Sequence, residues 1–383
     1  MSDLLVASIL SALIFIAGTI SVELGISAAI IEILFGVLAG NAIGIQPAPW
    51  LVFIASLGGI LLTFLAGTEV NLKMMREKFK TSLFIGGASF LVPFLLTFVY
   101  SHFIAGWTIR ASEIAGIALS TTSLAVVYAV LVETGLTKTE LGKIIMSATF
   151  ITDFGTALAL SILFVQFNAY TFLFLGFSAV LLIFGPKIIT YFFNRYRGKI
   201  IEPEIKLLLF VFFLTMLLGD IGKSHAVLPI FVLGLLMSRF FEANHVLLAK
   251  LRTVGFAFIT PFFFIRGGMN VSIHEVVANL GILAALLLVK LGAKGIAVYP
   301  MVNKFLPRGG RIFTTLLMST GLTFGTIASV FGYQAGYIDK AQFSVLISVV
   351  ILSAVIPTII AQRFFAPLPE KDKEEILAEE EEG

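Results

Sequence analysis

A succession of apolar runs constrains this chain more than any other feature. Each run is near the roughly 20 residues a helix needs to cross the hydrocarbon of a bilayer. Thirteen such runs fall between residues 4 and 365, with no soluble block among them. Lipid offers no water to backbone amides and carbonyls, so each run must close its own hydrogen bonds as a helix. Hydrophobic residues make up 58% of the chain and charged residues 13%, against roughly 25% charged in soluble domains. A soluble protein this apolar would expose large adhesive patches. The expected fold is therefore an all-α polytopic membrane protein with about 13 transmembrane helices. The net charge of +3 comes without a basic stripe, so a nucleic-acid partner is not expected. Cysteine is absent, which removes disulfides, thiol catalysis and thiolate metal sites. The four histidines show no ligand spacing, so neither a cofactor nor a transition metal is expected. The first run lacks a basic leader and a cleavage site and reads as a span, not a removed signal.

Lys and Arg between the runs divide 19 to 4 between the two sides. The positive-inside rule then puts the C-terminus in the cytoplasm and, with an odd number of spans, the N-terminus outside the cell membrane. The Glu-rich stretch 370–383 reads as a solvated tail. Asp220, Lys223 and His225 mark a tight turn between the eighth and ninth runs.

One acid breaks the apolar pattern at membrane depth. Asp153 lies in the sixth run, 141–167, and no basic residue falls between Lys143 and Lys187. A carboxylate there costs about 2.5–3.5 kcal/mol even on lenient insertion scales, and such residues usually face a bundle interior or a water-filled cavity and handle ions or protons. Thr149 is four residues away and shares its helix face; Thr152 adjoins it. Two other runs are interrupted. The fifth carries Ser120, Thr121, Thr122 and Ser123; the twelfth carries Ser319, Thr320, Gly321, Thr323, Gly325 and Thr326. Seven runs separate the two, so they cross in opposite directions, as inverted repeats with two discontinuous helices crossing near the midplane would. Backbone broken at that depth survives only where it lines a cavity or is buried in protein.

Hard monovalent cations prefer oxygen ligands. The carboxylate of Asp153, the hydroxyls of Thr149 and Thr152, and carbonyls freed near Thr121, Thr122 and Ser123 would make a small oxygen cage. Burial favours the protonated acid, so one carboxylate can exchange a proton for a cation. Lys290, deep in the eleventh run, must pair, deprotonate or meet water. Lys294, one turn on, is expected to snorkel, as is Arg266 towards the outside. Glu32 sits mid-run and is an accessory candidate. Glu69, beside four basic residues, reads as one half of a surface ion pair, with an accessory role as the alternative.

These residues resemble the monovalent cation:proton antiporter superfamily in its NapA-like and Kef-like branch. Gly116 to Ser123 and on to Gly135 resembles that family's unwound span and following loop. Ile151-Thr152-Asp153 resembles its acidic motif. Phe64 to Glu69, the segment from Gly25 to Ile33 with Glu32, and Val289-Lys290-Leu291-Gly292 resemble its remaining motifs. The resemblance runs from about residue 20 to 365. It implies an NhaA/NapA-like fold, a homodimer, and a core that moves in an elevator-like stroke. By that analogy, residues 1–80 are mainly dimerisation helices. Residues 81–167 and 272–366 are the two parts of the transport core, 168–271 are linker and dimerisation helices, and 367–383 are the tail. Lys290 takes the place of the family's basic residue.

Thr152 stands where many relatives carry Asp, Asn or Gln. The expected activity is therefore electroneutral, one-for-one exchange of Na+ (or Li+) for H+ on Asp153, in the service of pH homeostasis; a Kef-type exchanger of K+ is the alternative. A sodium-coupled organic-anion symporter would need more basic groups around its cavity. A channel would need a selectivity filter, and no TVGYG-like segment is present. A membrane aspartyl protease would need a second opposed aspartate. No enzyme activity is expected.

Overall fold

A computed structural model of the chain describes residues 2–24, 27–69, 79–137, 139–164, 168–196, 201–305 and 310–367. Gly25, the acidic tail and the basic residues Lys73, Arg76, Lys78, Lys138, Arg197, Lys199 and Arg308 lie outside the described residues. Among the described residues all regular structure is helical.

In chain order the helices are α1 (Asp3–Leu24), α2 (Ala28–Asn41), α3 (Pro49–Thr68) and α4 (Phe79–Val99), which continues through a π turn, Tyr100–Ile104. Then come α5 (Ile109–Ser120), α6 (Leu124–Glu133), α7 (Glu140–Leu163), α8 (Ala169–Tyr196), α9 (Pro203–Ile221) and α10 (Val227–Ala243). A second π turn, Gly255–Ile259, joins α11 (His245–Val254) to α12 (Thr260–Met269). The last five are α13 (Ile273–Ala278), α14 (Leu280–Phe305), α15 (Arg311–Leu317), α16 (Thr323–Gln334) and α17 (Lys340–Phe364). Among the described residues eight helical segments are long and apolar enough to cross a membrane: α1, α3, α4 with its π turn, α7, α8, α11 to α12 as one, α14 and α17. Local chemistry sets several starts. Pro49 opens α3, where the missing N–H costs nothing. Thr108 accepts from the Ala111 N–H ahead of α5. Asp339 and Gln342 form a reciprocal capping box at α17.

The chain divides into two compact units. The first comprises Met1–Leu72 and Ala157–Val277. Its core gathers Phe64, Phe193, Phe212 and Phe241, with the Phe64 ring 5.1 Å from Phe212 and 5.9 Å from Phe241. In this unit α2 and α12 lie backbone to backbone. A Cβ on Gly36 would collide with the Ile265 carbonyl, and one on Gly268 with the Ile33 carbonyl. Small residues at such contacts let membrane helices approach closely. Arg266 is carried on α12 and is 9% exposed, so the outward snorkel expected of it does not occur.

The second unit comprises Lys73–Thr156 and Ala278–Gly383. Ile85 of α4, Val127 of α6, Ile145 of α7, Val298 of α14 and Phe313 of α15 form its core.

Candidate functional site

Two helices of the second unit are broken. α5 stops at Ser120 and α6 starts at Leu124; α15 stops at Leu317 and α16 starts at Thr323. A helix end leaves backbone groups without intrahelical partners, and buried ones must find others. The two breaks serve each other. The Ser123 N–H donates to the Thr320 carbonyl at 2.9 Å, and the Thr122 hydroxyl donates to the Met318 carbonyl at 2.8 Å. Other hydroxyls turn back on their own chain. Ser120 donates to the Ile117 carbonyl, Thr121 to Ala118 and Thr320 to Leu317. Two C-terminal helix ends, each partly negative, thus meet two partly positive N-terminal ends.

Thr323 and Gly325, expected within the second break, lie instead in the first turn of α16. Gly325, with no side chain, lets this first turn lie close against α5. A Cβ on it would sit 2.9 Å from the Ala118 carbonyl.

The carbonyl of Ser120 accepts from a lysine. Lys294 of α14 is fully buried, with its Nζ 2.7 Å from the Ser120 carbonyl, 2.8 Å from the Ser89 hydroxyl of α4 and 3.1 Å from the Thr122 hydroxyl. An ammonium has three protons to donate, and here it has three acceptors. A cation is also favoured at the C-terminal end of α5. The expected snorkel of Lys294 is overturned: neighbouring helices supply the acceptors that water would supply at the interface.

Lys290 is fully buried as well, yet its Nζ has no hydrogen-bond partner among the described residues. It lies against Gly321. A Cβ built there would be 2.6 Å from Nζ and 2.5 Å from the Thr121 hydroxyl. Lys290 therefore sits at the breaks without holding them. Sequence reasoning passed over Lys294 as the anchor and missed Ser89 altogether. The i,i+4 spacing from Lys290 was the available signal for Lys294; a serine in a largely apolar helix gave none for Ser89.

Asp153 of α7 is 2% exposed. It belongs to the same unit as the buried Lys290 and Lys294. Thr149 is buried one turn before it, with its hydroxyl 2.9 Å from the Ile145 carbonyl and 3.5 Å from the Met318 sulfur at the second break. The Thr152 hydroxyl donates to the Thr149 carbonyl at 2.6 Å, leaving its oxygen lone pairs available. The Ser123 hydroxyl is buried with no hydrogen-bond partner among the described residues. One carboxylate, several buried hydroxyls and two buried amines thus belong to the same unit as both breaks. Such a set can hold a proton or a small hard cation.

Glu32 and Glu69 belong to the first unit. Glu32 is 5% exposed within α2. Glu69 follows α3 and accepts from the Arg252 guanidinium at 3.1 Å. Burial raises its carboxyl above the usual range, and Arg252 opposes that rise.

Known proteins resemble this chain over nearly its whole length. Residues 9–366 match the family described as sodium/hydrogen exchanger, transmembrane. The chain is 28% identical over 350 residues to a probable Na+/H+ antiporter 3 of Methanocaldococcus jannaschii, covering 86% of this chain and 89% of that one. It is 26% identical over 382 residues to a Na+/H+ antiporter of Enterococcus hirae, covering 91% and 94%. Its fold matches that of the sodium proton antiporter MjNhaP1 of Methanocaldococcus jannaschii with a TM-score of 0.72, at 13% identity, over 94% of this chain and 97% of the other. With its apolar helices and this fold, the chain belongs to the sodium/hydrogen exchanger family, the multi-pass membrane antiporters that exchange a monovalent cation for protons.

Proposed function

We propose that this protein exchanges Na+ for H+, one for one, with Asp153 as the seat that each occupies in turn. The observation that carries the reading is Asp153 itself. Among the described side chains it is the one buried carboxylate of the second unit, the unit that holds both broken helices. The oxygens of Thr149, Thr152, Thr121, Thr122 and Ser123 would complete the shell of a small cation; Li+ fits the same chemistry. With a proton on Asp153 the seat is neutral; with Na+ on the carboxylate it is neutral again. Thr152 adds no second acid, so each state carries the same charge.

The second unit would be the moving core and the first the dimerisation unit of a homodimer. The division of the chain into two compact units supports an elevator-type stroke. Counting α5 with α6, α15 with α16, α11 with α12 and α13 with α14 as single spans gives thirteen crossings. With the Lys and Arg distribution, that supports an outer N-terminus and an inner C-terminus in the cell membrane.

The test is cation-dependent proton movement in proteoliposomes, comparing wild type with Asp153→Asn. Exchange should vanish in a variant that still purifies as a folded protein. Exchange surviving the amide would end the reading. Running Na+, Li+ and K+ side by side separates a sodium exchanger from a potassium exchanger.

A further inference from the structure

Helix ends of the first unit line an open pocket of about 630 Å3, apart from the residues assigned to ion exchange. Phe193 and Asn194 of α8, Glu204 of α9, Phe240 of α10, and His245 and Lys250 of α11 are among the residues lining it. Glu204 is 1% exposed, and its Oε2 is buried with no hydrogen-bond partner among the described residues. A buried carboxylate oxygen left bare is costly, so the site calls for a donor or a cation. Among the described residues no donor reaches that oxygen. Lys250 is already engaged, its Nζ 2.5 Å from Glu202 Oε1, while Glu202 Oε2 is also buried and without a partner. The Asn244 amide N–H donates to the Phe240 carbonyl at 2.8 Å.

Glu204 is the one carboxylate among the lining residues, and Lys250, the lining ammonium, is engaged by Glu202. The cavity is far larger than a bare alkali ion needs. Its walls include Phe193 and Phe240, whose rings stack at 5.5 Å, and aromatic faces attract organic cations. We propose that this cavity binds an organic monocation, a primary ammonium on an apolar body, with the ammonium on Glu204 and the body against Phe193 and Phe240. An aminolipid headgroup and a soluble alkylamine share that chemistry.

The test uses the full-length protein in detergent and follows melting temperature during titration with hexylammonium chloride, with hexanol and NaCl as controls. Hexylammonium should raise the melting temperature saturably, hexanol and NaCl should not, and Glu204→Gln should weaken the apparent affinity at least tenfold. Ala243→Phe, which fills the cavity and spares the carboxylate, should also abolish the shift and keeps the test decisive if the first variant folds poorly. Adding phosphatidylethanolamine in place of phosphatidylcholine distinguishes the source. Suppression of the hexylammonium shift by the former alone assigns the site to a lipid headgroup, and an unchanged shift assigns it to a soluble amine. An equal shift with hexanol, an undiminished shift in both variants, or no shift in wild type overturns the proposal.

Discussion

Lys294 donates to the Ser120 carbonyl at 2.7 Å, so the helix that carries the lysine ties down the residue at which α5 stops, 174 positions away.

That link separates the two buried lysines. Lys294→Met leaves the Ser120 carbonyl and the Ser89 hydroxyl without their donor, and a buried polar group stripped of its partner costs about 1–3 kcal/mol. Lys290→Met removes no hydrogen bond, and replacing a buried charge by an apolar chain of similar volume is often neutral or stabilising by about 1–4 kcal/mol. Scanning fluorimetry of the purified variants should find Lys294→Met melting well below wild type and Lys290→Met at or above it. The reverse order would contradict the contacts assigned to each.

Thr152→Ala should change affinity and spare turnover. The lost hydroxyl donates within its own helix, to the Thr149 carbonyl, and such a bond is worth about 1 kcal/mol net. Sodium titrations of proton exchange should show a higher half-saturating concentration, by up to about fivefold for that energy, at an unchanged maximal rate. Complete loss of exchange would give Thr152 a central part in ion binding.

Gly321→Ala should damage the site sterically. Its Cβ would crowd the Thr121 hydroxyl and the Lys290 amine, while Gly292, on the same helix as both lysines, has nothing within 4 Å of a built Cβ. Overpacking costs typically about 1–3 kcal/mol, so Gly321→Ala should lower the melting temperature and slow exchange. Gly292→Ala should do neither. Equal behaviour of the two variants would remove the argument for close approach at Gly321.

One-for-one exchange should ignore voltage. Moving one net charge across the membrane gains or loses about 2.3 kcal/mol per 100 mV, so an electrogenic cycle would respond strongly. Proteoliposomes clamped at opposite potentials should exchange at equal rates. A clear response would require a second charge-carrying group, and Lys290 would be the first residue to examine.

Apolar run lengths made the helical membrane fold legible, because a backbone in lipid has few other ways to satisfy itself. Ser120 to Ser123 stood out for the same reason: polar residues inside an apolar run mark backbone that cannot simply continue. The extent of the second interruption was less legible. Thr323 and Gly325 look disruptive in sequence, yet α16 includes them, and Gly325 is where that helix comes close to the Ala118 carbonyl. Lysine positions in α14 could be read from the chain; their environments could not. Ser89 reaches Lys294 from 205 residues away and Ser120 from 174, so only the packed helices decide which amine is saturated and which is left over. The chain alone determined that it crosses the membrane as helices, where two of them break, and which acid lies at depth, since these follow from local hydropathy and backbone hydrogen bonding. Tertiary structure decided which lysine anchors the breaks, because a buried charge takes its place from acceptors that distant helices bring to it.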